Sequence, residues 1–63
     1  MTAIERREEI YRTLCAAKRA VHARELAARC GVSRQVVVQD MAVIRASHPG
    51  IVSTNYGYVL QQA

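Results

Sequence analysis

Glu25-Leu26-Ala27-Ala28-Arg29-Cys30-Gly31-Val32-Ser33-Arg34-Gln35 is the stretch from which the fold can be read. Its first residues suit a short helix: Leu26 and Ala27 supply an apolar face, and nothing before Gly31 breaks the pattern. Gly31 stops that helix, because glycine takes the left-handed C-cap geometry without a steric penalty. Val32-Ser33 restarts the chain. The Ser33 hydroxyl can cap the first N–H groups of a second helix, and Val32 can staple onto Val37. A short helix, a turn with glycine and a serine cap, then a longer helix together form the signature of a helix-turn-helix.

Downstream, the pattern predicts a helix over 34–46 that ends before the His48-Pro49-Gly50 breaker. Its β-branched run Val36-Val37-Val38 has modest helix propensity, so a strand remains an alternative that packing must decide. Beyond the breaker, Gly50-Ile51-Val52-Ser53 and Gly57-Tyr58-Val59-Leu60 flank Thr54-Asn55-Tyr56, and 50–61 reads as a hairpin. Two strands alone are marginal and must lean on the helices.

Upstream, His22 stands at the N-cap of a helix over 23–29, with Glu25 at the fourth position of a capping box; histidine is a poorer cap than serine. Val21 is an isolated apolar residue before it. Thr2-Ala3-Ile4-Glu5 is a stronger capping box and opens a helix over 3–18. Ile4, Tyr11, Leu14 and Lys18 recur there at helical spacing, with Ile10 and Cys15 widening the stripe. Glu8 and Arg12 are spaced for an i,i+4 ion pair. The expected fold is mainly α with a small β-hairpin: a winged helix-turn-helix of three helices plus a wing, one domain over 1–63. Its expected core is Ile10, Leu14, Leu26, Val32, Val37, Met41, Ile44, Tyr58 and Leu60.

Sixty-three residues make a thin core, since a chain of this size buries only about 60% of its extended surface. The formal charge is +4, from nine Lys/Arg against five Asp/Glu. The charge is uneven: residues 1–9 are net negative, and the remainder carries the whole positive excess. Such a balance favours a polyanionic partner without specifying a fold. No apolar run is long enough for a membrane span and no leader-like arrangement precedes one, so the expected location is cytoplasmic. Cys15 and Cys30 both fall in helix-like patterns. Free, buried thiols are the simplest reading, and a disulfide between neighbouring helices stays open.

On a helical wheel of 34–46, Val37, Met41 and Ile44 share one side. Gln35, Gln39, Ala42 and Ala46 share the other, with Val38 beside them and Arg34 and Arg45 on a flank. That outer side suits the major groove of double-stranded DNA. Glutamine can pair with adenine, arginine with guanine, and an exposed valine can touch a thymine methyl. The helix start at Ser33 can grip a phosphate. An ordinary solvated face is the competing reading. Asp40 lies at the edge of the buried side, where a carboxylate needs a donor, and an arginine partner is expected rather than a catalytic role. His22, His48, Cys15 and Cys30 do not form a zinc pattern. No nucleophile motif, paired carboxylates or phosphate-binding glycine loop exists, so no catalytic residue, metal or cofactor is expected in this chain and it is not read as an enzyme.

Glu25-Leu26-Ala27, Gly31 through Met41, Ile44-Arg45 and the close at Gly57-Tyr58-Val59-Leu60 resemble the N-terminal winged-helix domain of the niacin-responsive transcriptional repressors. Ser33-Arg34-Gln35-Val36-Val37-Val38-Gln39-Asp40 is the specific part of the likeness. A looser one, to the DNA-binding domain of the biotin ligase–repressor, covers the same architecture. The resemblance implies a bacterial operator-binding domain, dimeric only with an additional domain. In that family a C-terminal domain, no part of this sequence, senses nicotinic acid and binds a divalent metal. The chain is therefore expected to be a fragment or a free-standing winged helix. Arg34, Gln35, Val38, Gln39 and Ala42 are expected at bases, Ser33 and Arg45 at the backbone, and Tyr56 at the backbone from the wing. The family commonly has Pro-Arg-Gly-Tyr where this chain has Asn55-Tyr56-Gly57-Tyr58, so the wing lacks an arginine. A protein-interaction winged helix using Val38, Ala42 and Ala46, and the DNA-binding head of a biotin ligase, are the alternatives.

Overall fold

The computed structural model of the chain describes residues 1–61. It orders them as α1 (Ala3–Ala16), α2 (Ala23–Cys30), α3 (Arg34–Ser47), β1 (Ile51–Thr54) and β2 (Gly57–Leu60). This is a winged helix-turn-helix, three helices followed by a hairpin. Residues 62 and 63, which the sequence reading includes in the domain, lie outside the described residues.

The capping box at Thr2 forms as expected: the Thr2 hydroxyl accepts from the Glu5 N–H at 3.1 Å, and the Glu5 carboxylate accepts from the Thr2 N–H at 2.8 Å. Helix α1 ends two residues before the expected 18. Ala17 is already extended (φ −73°, ψ 140°), its N–H closing the last turn on the Thr13 carbonyl at 3.0 Å. Neither glycine nor proline stops this helix; the early end releases the chain to bring Val21 alongside Tyr58. The Val21 N–H donates to the Tyr58 carbonyl at 3.0 Å, and the Tyr58 N–H to that of Val21 at 2.8 Å. Val21 is thus a third rung beside the two-stranded wing, and it is buried rather than isolated.

Helix α2 is capped differently at its two ends. Glu25 accepts from the His22 N–H at 3.4 Å, but the imidazole makes no cap bond to the helix. Gly31 takes the left-handed conformation (φ 70°) that its place in the turn predicted. Helix α3 starts at Ser33, whose hydroxyl accepts from the Val36 N–H at 3.3 Å. The valine run is helical. Val37 is wholly buried, and packing resolves the helix-or-strand ambiguity in favour of helix.

The core joins Ile10 and Leu14 of α1, Leu26 and Ala27 of α2, Val37, Met41 and Ile44 of α3, and Val21 and Ile51 from the sheet side. Val32, Tyr58 and Leu60 pack against it half-buried. Full burial of a residue such as Leu26 contributes about 2 kcal/mol. Three further expectations for α1 fail. Ile4 and Cys15 are exposed, leaving Cys30 as the half-buried one of two free thiols. Arg12 pairs with Glu9 at 3.2 Å instead of Glu8, and Glu9 also receives Arg29 from α2 at 3.3 Å.

In the wing, Ile51 pairs with Leu60, Val52 with Val59, Ser53 with Tyr58 and Thr54 with Gly57. Strand β1 begins at Ile51, one residue later than expected. The Gln61 N–H reaches the Gly50 carbonyl at 2.9 Å. Asn55 and Tyr56 keep negative φ, so the unusual backbone falls on Gly57 (φ 120°). The Thr54 hydroxyl fastens this turn, donating to the Gly57 carbonyl at 2.7 Å and accepting from the Tyr56 N–H at 3.1 Å.

Candidate nucleic-acid interface

Helix α3 presents two unlike sides because its apolar residues recur at helical spacing. Val37, Met41 and Ile44 are buried, whereas Gln35, Gln39, Ala42 and Ala46 are exposed on the far side. Val38 is half-buried beside them. Arg34 and Arg45 are exposed at the two ends of this face, and Ser33 is exposed at its start. Tyr56 stands free at the wing tip, 77% exposed. The structure therefore leaves accessible the residues expected at bases and backbone, with Val38 the least accessible.

Asp40 holds this helix to α1. It is 1% exposed, yet both carboxylate oxygens are satisfied: Arg6 forks onto both, reaching Oδ1 at 2.9 Å, and Arg7 Nε reaches Oδ1 at 3.0 Å. The Arg6 hydrogen bonds keep the Asp40 carboxyl below its ordinary range against the opposing effect of burial, with Arg7 adding to them. The expected arginine partner is thus a pair, from 33 and 34 residues away in sequence.

Ion pairing sorts the cations of the molecule. Arg6 and Arg7 serve Asp40, Arg12 and Arg29 serve Glu9, and Arg19 serves Glu25 at 3.0 Å. Among the described residues, Lys18, Arg24, Arg34 and Arg45 have no carboxylate within 4.0 Å. Arg24 and Arg34 line one groove of about 310 Å³ against the wing, with His22, Ser53, Thr54 and Asn55. Arg24 was missed in the sequence as a candidate. Its signal was there: Ala27 and Ala28 stand three and four residues on along α2, so that helix face offers Arg24 no acid.

Among the described residues, no three His, Cys, Asp or Glu side chains gather as metal ligands, and no helix is long and apolar enough to cross a membrane.

A family model described as "HTH domain" matches residues 6–59. The chain is 38% identical over 58 residues to "Transcription repressor NadR" of Bacillus subtilis, covering 92% of this chain and 32% of that protein. It is 46% identical over 56 residues to "Probable transcription repressor NiaR" of Thermotoga maritima, covering 89% of this chain and 32% of that protein. The chain spans about a third of the length of these curated relatives.

Proposed function

The chain belongs to the HTH domain family, as a DNA-binding winged helix-turn-helix related to transcription repressors, and we propose that it supplies sequence recognition to a bacterial repressor of the niacin-responsive kind. The observation that carries this reading is the outer side of α3. It is accessible, small-residued and amide-bearing, and uncompensated arginines stand at both ends while five other arginines are tied up in ion pairs.

In this reading α3 lies in the major groove. Gln35 and Gln39 offer donor–acceptor pairs to adenine edges, Val38 faces a thymine methyl, and Ala42 lets the helix backbone come close. Ser33 and Arg45 meet phosphates at the two ends of the helix. Tyr56 offers a hydroxyl to the backbone from the wing, where the related family often has arginine. Arg34, at the N-terminal end of this face, offers its guanidinium to a guanine edge. A complete repressor would place two such domains on two half-sites, through a further domain.

Titrating the chain against the duplex upstream of its own gene and against an unrelated duplex, each at two salt concentrations, tests the reading. The expected result is tighter binding to the upstream duplex at both concentrations, with affinity falling on both as salt rises. Equal affinity for the two duplexes would remove sequence recognition from the domain.

A further inference from the structure

Arg24 and Arg34 come from different helices and are brought together only by the fold, at the groove between α2, the start of α3 and the wing. Both are exposed, and neither has a carboxylate within 4.0 Å among the described residues. The rest of the lining is short and polar: Ser53, Thr54 and Asn55 carry hydroxyl and amide groups, and His22 adds an imidazole. This polar, cationic lining suits an anionic ligand better than an apolar one.

Resting on the reading of α3 as the recognition helix, we infer that this groove is a phosphodiester site in which Arg24 and Arg34 clamp one phosphate of the DNA backbone. Arginine forks match phosphate oxygens, and an arginine without an internal acid can give its donors to a ligand without first breaking an ion pair. Base edges are reached from the helix that lies in the major groove. Arg24 lies on the neighbouring helix, beside the wing, and its partner in the groove is Arg34. A position shared between α2, α3 and the wing is at the border of the major groove, where the phosphate chain runs. The inference therefore moves Arg34 from reading a base to holding the backbone, and adds Arg24, to which the sequence reading gave no role.

The test compares the parent chain with Arg24→Ala, Arg34→Ala, the double variant and Lys18→Ala. Lys18 is a control, a cation without an acid partner that lines a separate groove between α1 and α2. Each is titrated against the upstream and the unrelated duplex over a salt series, with helix content checked by circular dichroism. Arg24→Ala and Arg34→Ala should each weaken binding about tenfold, the scale of one charge-assisted contact. The loss should be equal on both duplexes, and the double variant should lose less than the product because the two share one phosphate. The salt slope of the double variant should be shallower by about 0.9, and Lys18→Ala should bind like the parent. An Arg34→Ala loss confined to the upstream duplex would show that Arg34 reads a base and overturn the clamp. Parent-like binding by Arg24→Ala, or an equal loss in Lys18→Ala, would overturn it as well. A parent that binds no duplex removes the recognition reading itself, and the clamp falls with it.

Discussion

A methyl group added to Gly57 would sit 2.5 Å from both the carbonyl carbon and oxygen of Val21, and 2.8 Å from the His22 nitrogen, with φ at 120°. The clash is with backbone that is itself held by the two Val21–Tyr58 hydrogen bonds, so it has little room to move. Gly31 is a contrasting case: its φ of 70° is left-handed, but nothing lies within 4 Å of the added methyl. Gly57→Ala should therefore cost about 3 kcal/mol, strain and overpacking together, while Gly31→Ala should cost about 1 kcal/mol from backbone strain alone. Ser33→Ala, which removes the cap bond to Val36, belongs with the smaller loss at about 1 kcal/mol. In a chain of this size 1 kcal/mol moves the melting temperature by roughly 4–8 °C, so thermal melts of the three variants separate them. Gly57→Ala melting with the other two would mean the wing does not press on Val21. The sequence marked Gly31 through its position between two helices, whereas the need for glycine at 57 lies in a segment more than thirty residues upstream.

Helix α3 carries two predictions, one for each side. On the outer side, Gln35→Ala and Gln39→Ala should each lower the ratio of upstream to unrelated binding by about 1–3 kcal/mol while changing non-specific affinity little, as a lost base contact does. Ratios equal to the parent's would make these glutamines a solvated surface. On the inner side, Asp40 is held in its charged form by Arg6 and Arg7 of α1. Its folded-state pKa lies below the ordinary aspartate value of 3.8. The stabilisation is thus complete at pH well above 3.8 and is lost as pH falls through the folded-state value. Asp40→Asn should lower the melting temperature at pH 7 and flatten its decline in acid; an unchanged acid profile would assign acid unfolding to other carboxylates. The wing carries a third prediction. Tyr56→Arg at the exposed tip should leave stability nearly unchanged and raise DNA affinity, most for a duplex with an A/T-rich flank, since a narrow minor groove concentrates negative potential. Titration against two duplexes differing only in that flank reads the effect, and no gain on either would mean the wing does not reach DNA.

For the molecule as a whole, the number of cationic residues overstates those free to meet a polyanion. Of nine Lys/Arg, five arginines sit in ion pairs, which leaves Lys18, Arg24, Arg34 and Arg45. With Arg24 and Arg34 on one phosphate, Arg45 on another and Lys18 away from the DNA, the slope of log affinity against log salt should be about −2, at roughly 0.9 per neutralised phosphate. A slope near −8 would mean that the internal pairs open on binding. The elements were legible without coordinates, because their signals are local: Thr2 with Glu5, Gly31 with Ser33, the His48-Pro49-Gly50 breaker and the apolar spacing of Val37, Met41 and Ile44. The outer face of α3 was legible for the same reason, since a helix with one buried side defines its opposite side. What sequence did not reveal involves residues distant along the chain. The early end of α1 follows from the pairing of Val21 with Tyr58, and the contact of Arg29 with Glu9 joins α2 to α1 across twenty residues. The fork on Asp40 depends on α1 crossing α3, and the meeting of Arg24 with Arg34 on α2 packing against α3. Helical periodicity, caps and turns are written in neighbours a few residues apart, and they determined the winged helix-turn-helix. Which arginines are paired with a carboxylate and which remain free is a matter of through-space charge pairing, and only the packed molecule decided it.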